Sequence, residues 1–492
     1  MKRLILLMLA GMCFTVWAAQ AQQMLHSDSS AVSSHQVTIK GKRVPYTATV
    51  GTQPVWDKKG KEVAYLFYTY YQRSDVEDKT NRPLVVSFNG GPGSASIWMH
   101  IAYTGPVLLN IDEEGNPVQP YGYRENPHSI LDVADIVYVD PVNTGYSRIT
   151  DKEADRSQFF GVNADVNYLA EWVRTFVTRQ NRWASPKFLI GESYGTTRVS
   201  GLVNRLQNSQ WMYFNGVVLV SPTDLGIDRE GPVAAANYLP YYAATAWYHG
   251  VLDNGLQQKD LDEILPEVEA FTVNELIPAM VKGGFLEEEK KKALARKMSA
   301  YSGLSEKVIR EHNLAVPTSF FWKELLRDEG LTVGRLDSRY RGVDRQDAGS
   351  RYDYDPALSS WNHAFAPAFN HYMINELDFK TDINYFLFGP VHPWDRSGDQ
   401  TGENLRSALA ENPYLHVLIQ SGYYDGGTDY FNAKYSMWQM DPSGKLKDRL
   451  SWKGYRSGHM MYLRSEDLEQ ANDDIRDFII KATPAAGSPA KY

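Results

Sequence analysis

Phe188-Leu189-Ile190-Gly191-Glu192-Ser193-Tyr194-Gly195 carries the strongest indication of how this chain folds. An apolar run comes before the motif G-x-S-x-G, and the pattern after it predicts a helix over residues 197–206. The order is strand, tight turn and helix, with Ser193 at the apex. Glycines two residues on either side of Ser193 allow a sharp turn and keep Cβ atoms away from the neighbouring strand and helix. Such a turn exposes a hydroxyl above a sheet, beside a backbone N–H, and predicts a nucleophile.

The rest of the chain alternates short apolar runs with helical patterns. Strands are predicted at residues 84–88, 136–139, 188–190, 216–220, 415–419 and 450–455, after antiparallel strands within 37–71. Buried parallel strands separated by helices predict an α/β fold with a mostly parallel, doubly wound sheet and sites at the carboxyl ends of its strands. Between about 229 and 385 the pattern is helical and shows no clear strand. We therefore predict core segments at 22–228 and 386–481, a mainly helical cap insertion at 229–385 and a flexible tail at 482–492.

The N-terminus has the pattern of a secretory signal peptide, residues 1–21. Lys2 and Arg3 precede the apolar run 4–16, and Ala19-Gln20-Ala21 is a cleavage site of the A-x-A type. The apolar run is short for a transmembrane anchor, the alternative interpretation. Cleavage would remove the single cysteine, Cys13, and change the net charge from -8 to -10. We expect an exported protein, periplasmic or secreted from a bacterium, without disulfides, without a stable membrane anchor and with no affinity for nucleic acid.

A serine hydroxyl needs a general base, and the base needs a group that orients it. After a G-x-S-x-G turn these partners follow in the order acid, then histidine. Asp425 comes just after the predicted strand 415–419, and His459 follows the next predicted strand. Both are expected beside Ser193 at the carboxyl edge of the sheet. The alternatives are Asp429 for the acid, and His392 or His416 for the base.

A second glycine-rich loop, Ser87-Phe88-Asn89-Gly90-Gly91-Pro92-Gly93-Ser94, also follows a predicted strand. In this kind of site the oxyanion accepts one N–H from such an early loop and one from the residue after the nucleophile. We assign these donors to Gly91 and Tyr194. No phosphate-binding loop and no H-E-x-x-H motif occurs in the sequence, so we predict neither a cofactor nor a metal.

Together the motifs resemble the serine carboxypeptidase family, the group of carboxypeptidase C, carboxypeptidase Y and cathepsin A. The matching stretches are Asn89-Gly90-Gly91-Pro92-Gly93-Ser94, Asp140-Pro141-Val142-Asn143-Thr144-Gly145-Tyr146-Ser147, the Ser193 motif and Gly458-His459-Met460. Leu336-Asp337-Ser338-Arg339-Tyr340 is similar to bacterial members. The resemblance implies an α/β-hydrolase fold with a cap, and removal of single residues from peptides with a free C-terminus.

The resemblance also implies that Asn89, Gly90 and Glu192 bind the substrate's C-terminal carboxylate. A glutamate that faces a carboxylate must be protonated, because two negative charges would repel each other. We therefore expect peptidase activity to be favoured at acidic pH. One departure is Ser87, where many members have tryptophan.

Two other functions use the same fold. The triad could serve an esterase or an acyltransferase, since fold does not determine the substrate. A non-catalytic binding protein is the third hypothesis, but it would have no need of a nucleophile aligned with a base.

Overall fold

In the computed structural model, residues 24–151, 153–485 and 487–489 are described. The predicted signal peptide, residues 1–21, lies outside these residues. Within them, ten strands form one mixed sheet in the order β1-β2-β3-β7-β4-β9-β10-β13-β14, with β8 paired to β3. The strands of this sheet are β1 Ser30–Ile39, β2 Lys42–Trp56, β3 Glu62–Arg73, β4 Leu84–Phe88, β7 Asp135–Val139, β8 Arg148–Ile149, β9 Lys187–Glu192, β10 Gly216–Val220, β13 His416–Gly422 and β14 Leu450–Tyr455. Two ribbons lie outside it, β5 Val107–Leu109 with β6 Tyr123–Glu125, and β11 Thr332–Val333 with β12 Arg341–Gly342.

The six strands from β7 to β14 in this order are parallel to their neighbours, and β1, β2 and β3 extend the sheet antiparallel. This arrangement confirms the predicted fold class. The central strands are apolar on both faces because each face is covered by helices. In β9, for example, Phe188 and Ile190 join the core on one face while Leu189 joins the core on the other.

Helices pack on both sides of the sheet. The helices of the sheet domain are α1 Ile97–Ala102, α2 Val162–Arg179, α3 Tyr194–Gln210, α12 Pro356–Asn375, α13 Thr401–Glu411, α14 Tyr430–Met440 and α15 Ser465–Ala482. Side chains of α1, α12 and α15 share one core, and those of α2, α3 and α13 share the other. In the sequence, the pattern of residues 465–480 predicts a last helix with Ser465 as its N-cap. The structure corrects this, because Arg464 holds the cap position and makes no side-chain cap hydrogen bond.

A second group of helices lies between β10 and β13 in the chain. They are α4 Gly231–Ala236, α5 Leu239–Tyr248, α6 Asn254–Gln257, α7 Leu261–Phe271, α8 Ile277–Met280, α9 Glu288–Ser302, α10 Glu306–Glu311 and α11 Thr318–Glu324. They bury a core of their own, in which Tyr242 stacks on Phe321 and the Tyr241 ring packs against both at an angle. The ribbon β11–β12 also lies here, and its two-residue strands are too short to leave a pattern in the sequence. The boundaries of the cap at 229 and 385 stay a prediction.

Within residues 24–151, 153–485 and 487–489, no helix combines the length and apolar character needed to cross a bilayer.

Candidate active site

The carboxyl ends of the parallel strands meet at one edge of the sheet. Val220 at the end of β10 pairs with Glu192 of β9 on one side and with Gln420 of β13 on the other. Gly422 of β13 pairs in turn with Tyr455 of β14. The loops after β4, β9, β13 and β14 therefore start close together, and these are the loops that carry the predicted site residues.

Ser193 lies at the turn between β9 and α3, with φ 57° and ψ −127°. This conformation is rare for a residue with a side chain and costs on the order of 1–3 kcal/mol. The flanking glycines make the turn possible. A Cβ on Gly191 would lie 2.1 Å from the carbonyl oxygen of Gly195, and a Cβ on Gly195 would lie 2.9 Å from that of Phe88. The sequence motif is therefore required by the close approach of strand, turn and helix.

Asp425 and His459 form a buried hydrogen-bonded pair. The distance from His459 Nδ1 to Asp425 Oδ2 is 2.7 Å. The N–H groups of Gly427 and Thr428 donate to Asp425 Oδ1, at 2.8 and 3.1 Å, and the Thr428 hydroxyl donates to Oδ2 at 2.8 Å. The backbone of His459 is held as well, because the Ser221 hydroxyl donates to the His459 carbonyl at 2.7 Å. The Asp425 carboxylate thus accepts hydrogen bonds from four donors, namely the His459 ring, two backbone N–H groups and one hydroxyl.

The electrostatics of this pair follow from burial and mutual attraction. Burial acts to raise the pKa of Asp425, but the His459 ring and the hydrogen bonds outweigh it, so that the net direction is downward. Burial acts to lower the pKa of His459, but the Asp425 charge and its hydrogen bond raise it overall, with a smaller contribution from Glu192. An ionised acid beside a basic imidazole is the arrangement that orients and strengthens a general base.

The alternative acid and base candidates have other surroundings. Asp429 caps α14, accepting the Asn432 N–H at 2.9 Å, and burial raises its pKa to about 6. His416 lies at the start of β13, at the opposite end of the strand from the Asp425 loop. His392 does line the cavity that holds Ser193, but among the described residues it is His459 that hydrogen-bonds to Asp425.

Ser193 and His459 line one cavity of about 310 Å³. Asn89, Gly90 and Gly91 line it too, as do Trp98, Leu336, Phe388 and Met460. The volume is at the small end of the range for ligand pockets. No hydrogen bond joins the Ser193 hydroxyl to the His459 ring in the described chain, a contact that is often loose before substrate binds.

The loop after β4 presses against the start of α3. A Cβ on Gly90 would lie 2.5 Å from the Tyr194 nitrogen, so this loop and the helix terminus are in direct contact. Gly91 has φ 104°, a conformation that favours glycine. Tyr194 is the first residue of α3, where N–H groups have no partner within the helix. Gly91 and Tyr194 thus belong to two elements in direct contact beside Ser193, and their role as oxyanion donors stays a prediction.

Glu192 is buried in the same cavity. Its Oε2 accepts a hydrogen bond from Asn89 Nδ2 at 2.5 Å and one from the Tyr462 hydroxyl at 2.7 Å. The Asn89 amide is held in this orientation because its Oδ1 accepts the Met99 N–H at 3.1 Å. Burial raises the pKa of Glu192 to about 7, against the lowering effects of His459 and these two donors. Glu192 is thus a carboxyl group that stays protonated in acid and through most of the range up to neutrality.

Two residues of the site were not predicted from the sequence, one beside Glu192 and one beside Asp425. Tyr462 stacks on Tyr103, with ring centroids 4.5 Å apart, and reaches Glu192 from three residues after His459. Thr428 follows Asp425 by three residues and bonds to its carboxylate. In both cases the signal was a polar side chain one turn beyond a predicted catalytic residue. Ser87, the departure noted in the sequence, is fully buried within β4.

The segment Arg335–Arg339 links the two loops that hold Asp425 and His459. Its backbone accepts the Gly426 N–H at Arg335 (2.9 Å) and the His459 N–H at Leu336 (2.6 Å). The Ser338 N–H donates to the Tyr424 carbonyl at 2.9 Å. We call this segment the strut. It includes most of the stretch that resembles bacterial family members, and its position gives that stretch a physical role.

The fold and the site define an α/β-hydrolase with a strained serine turn beside a buried histidine–aspartate pair. A family model for serine carboxypeptidases matches residues 51–309. That match covers more than half of the chain, and the chain belongs to the serine carboxypeptidase family. The matched region includes Ser193, whereas Asp425 and His459 lie beyond it.

Individual relatives agree with this assignment. Serine carboxypeptidase-like 16 of Arabidopsis thaliana is 27% identical over 221 residues, which are 43% of this chain and 48% of the relative. Serine carboxypeptidase S10 family member 1 of Dictyostelium discoideum is 25% identical over 202 residues, 40% of this chain and 44% of the relative. The matches thus span about half the length of these relatives.

A solved structure extends the likeness to most of the fold. The crystal structure of Kex1Δp, a prohormone-processing carboxypeptidase from Saccharomyces cerevisiae, aligns with a TM-score of 0.53 at 14% identity. The alignment covers 89% of this chain and 91% of that one. It confirms the α/β-hydrolase fold, including the regions beyond the family match.

Proposed function

We propose that this protein is a serine carboxypeptidase that removes C-terminal residues from peptides through an acyl-enzyme on Ser193. The observation that carries the proposal is the buried Glu192, held by Asn89 and Tyr462 in the cavity of Ser193. A simple esterase gains nothing from a protonated carboxyl group at this place. A carboxypeptidase does, because a neutral acid donates a hydrogen bond to the carboxylate that marks its substrate's end.

The proposed reaction begins at Ser193. Ser193 Oγ attacks the scissile carbonyl carbon while His459 Nε2 takes the hydroxyl proton, and Asp425 stabilises the resulting imidazolium through Nδ1–H. The Gly91 and Tyr194 N–H groups donate to the oxyanion. The C–N bond then breaks as His459 returns the proton to the departing amine. Water, deprotonated by His459, then attacks the ester carbonyl carbon. The bond between this carbon and Ser193 Oγ breaks as His459 returns the proton to Oγ, and the acid product leaves.

Glu192 gives this reaction its expected pH dependence. Both hydrogen bonds fall on Oε2, so in the neutral acid the proton resides on Oε1 and can be donated to the substrate. As the pH rises through about 7, Glu192 ionises and repels the C-terminal carboxylate. Peptidase activity should therefore be lost above neutrality and favoured on the acid side, down to the pH at which His459 becomes protonated.

The test compares N-blocked dipeptides with a free C-terminus against the same dipeptides amidated, from pH 4 to pH 8. We expect turnover of the free acids in the acidic part of this range and weak turnover of the amides. Ser193→Ala is the control for contaminating activity and should abolish both turnover and labelling by a fluorophosphonate probe. A preference for the amide or ester at every pH would replace the proposal by an esterase or acyltransferase. Absence of labelling in the intact protein at every pH would leave a binding protein.

We further propose that the protein is exported, periplasmic or secreted. The support is the sequence of residues 1–21, with two basic residues, an apolar run and an A-x-A site. Expression of the full chain in a bacterium followed by N-terminal sequencing should give a mature protein that starts at Gln22. An intact N-terminus on protein from the cytoplasmic fraction would contradict export.

A further inference from the structure

Arg335 places a positive charge in the wall of the active-site cavity. It lines the cavity together with Ser193 and His459, and among the described residues lining it Arg335 is the only arginine or lysine. Its side chain keeps 39% of its surface exposed. The guanidinium is thus accessible from the space that a substrate would enter.

The backbone of Arg335 is held in place by hydrogen bonds of the strut, and one terminal nitrogen lies beside Gly427. The Arg335 N–H donates to Asp355 at 3.1 Å, and the Arg335 carbonyl accepts the Gly426 N–H at 2.9 Å. A Cβ built on Gly427 would lie 3.3 Å from Arg335 Nη1 and 3.2 Å from Asp425 Oδ1. The terminal nitrogens therefore lie along the wall formed by the Asp425 loop, next to the catalytic pair.

Arg335 has only a loose ionic partner. Its Nε lies 3.7 Å from Asp355 Oδ2, and the Asp355 carboxylate also accepts the N–H groups of Arg335, Leu336 and Ala357 where it caps α12. Tyr352 is a second neighbour, within hydrogen-bonding reach of the side chain. Arg335 therefore has donors to offer to a further acceptor, and a guanidinium binds a carboxylate in bidentate fashion.

The other ionisable groups of the cavity do not cancel this charge. Asp425 is fully buried and paired with His459. Glu192 is neutral in the acidic range and already accepts two hydrogen bonds. His392 adds no negative charge. The cavity is thus favourable for a second anion in addition to the substrate's C-terminal carboxylate. The candidate site of that carboxylate is at Asn89 and Glu192.

We propose that Arg335 gives this site a preference for peptides with an acidic side chain on a residue adjoining the scissile bond. The inference rests on the proposed function and adds the substrate class to it. The recognised chemistry is a side-chain carboxylate, on either the residue that supplies the carbonyl or the residue that leaves.

The experiment measures kcat/KM at pH 6 for two pairs of N-blocked dipeptides with free C-termini. One pair has glutamate or glutamine as the carbonyl residue, followed by leucine, and the other has leucine followed by glutamate or glutamine. At this pH a glutamate side chain, with an ordinary pKa of about 4.3, is ionised. The enzymes are the wild type, Arg335→Gln, Arg335→Lys and, as matched control, Arg296→Gln on the exposed face of the cap helix α9.

The wild type should prefer glutamate to glutamine by about 10- to 100-fold in one of the pairs, the effect of a hydrogen bond to a charged group. Arg335→Gln should reduce that ratio to about one, Arg335→Lys should keep part of it, and Arg296→Gln should keep all of it. The pair that shows the effect identifies which residue Arg335 contacts. A ratio near one in the wild type for both pairs would overturn the proposal. So would an equal loss on all four substrates in Arg335→Gln, which would mean that Arg335 binds the C-terminal carboxylate or only positions the loop.

Ester analogues of both pairs, in which an ester bond replaces the scissile peptide bond, separate this proposal from the proposed function. If the protein hydrolyses the esters and none of the peptides, the carboxypeptidase function fails while the two ester pairs still measure Arg335. A glutamate preference in the esters that disappears in Arg335→Gln then supports the proposal, and a ratio that is unchanged by the substitution overturns it.

Discussion

Glu192→Gln separates the charge of this side chain from its shape. A glutamine oxygen can accept the two hydrogen bonds that Asn89 and Tyr462 now give to Oε2, and its NH2 group takes the place of the protonated Oε1. The variant is therefore a permanently neutral copy of the protonated enzyme. Any property of the wild type that depends on ionisation of Glu192 should lose its pH dependence in the variant.

The expected effect on the free energy of unfolding follows from the pKa of Glu192. Burial raises the pKa of Glu192 from 4.5 to about 7, a shift worth about 3 kcal/mol at about 1.4 kcal/mol for each pH unit. Between these two values the unfolded chain has released the proton while the folded protein keeps it. The favourable contribution is therefore fully present below pH 4.5, is lost as the pH rises through about 7, and changes no further above that. The free energy of unfolding of Glu192→Gln should have no such component.

Catalysis should differ between the two proteins on the alkaline side of the pH profile. The wild type should lose kcat/KM on free-acid peptides above about pH 7, and Glu192→Gln should not show this loss. The acid limb belongs to His459, which must be neutral to act as a base. Because Glu192 is uncharged below about pH 7, the acid limb should lie at the same pH in the wild type and in the variant.

The assay is chemical denaturation of both proteins at half-unit steps from pH 4.5 to 8, with kcat/KM measured on the same samples. Other buried acids titrate equally in both proteins, so the quantity to follow is the difference between the two unfolding free energies. It should change by about 3 kcal/mol in favour of the variant as the pH rises through this range. A difference that stays constant to within about 0.5 kcal/mol would refute the raised pKa, and an alkaline loss of activity shared by both proteins would assign that loss to another group.

The remaining predictions concern the acid, the turn and the strut. Asp425→Asn should lower kcat by roughly 10⁴-fold, because the His459 ring loses its charged partner. The control Asp429→Asn should change kcat by less than about threefold, because asparagine can still cap α14. Gly191→Ala should lower the free energy of unfolding by about 3 kcal/mol or more, because the new Cβ would lie 2.1 Å from the Gly195 oxygen. Thermal and chemical denaturation measure this loss, and Gly255→Ala is the control, since no atom lies within 4 Å of a Cβ at that position. Asp337→Asn weakens the ion pair with the buried Arg339 and the hydrogen bond from the Gly458 N–H, so both stability and kcat should fall while KM changes little. An unchanged kcat would show that the strut does not position His459.

Much of the fold was predictable because its signals are local. A short apolar run and the glycine-flanked Ser193 are visible within eight residues, and the parallel sheet follows from repetition of the strand–helix pattern. Asp425 and His459 were selected by the same local rule, as polar residues directly after a strand. Their contact is a consequence of strand order, which brings β13 and β14 together as neighbours.

What the sequence did not reveal depends on contacts between distant segments. Tyr462 follows His459 by three residues, but it becomes part of the Glu192 site because its ring stacks on Tyr103, which is a contact between distant segments. The N-cap at Arg464 was missed for a related reason. A serine before a helical pattern normally caps, but here the helix begins one residue earlier than the cap rule places it.

The strut shows why the region between β10 and β13 cannot be treated as a separate cover over the site. Its backbone holds the loops of Asp425 and His459, and its side chain at Arg335 lines the cavity. A displacement of this segment would therefore move the base and the proposed side-chain recognition together. Binding of an acidic substrate at Arg335 would in turn stabilise the strut in the position that aligns His459. If Arg335 binds the substrate side chain as proposed, recognition and the activation of Ser193 would be coupled through one short segment, and we expect good substrates to be distinguished by kcat as well as by KM.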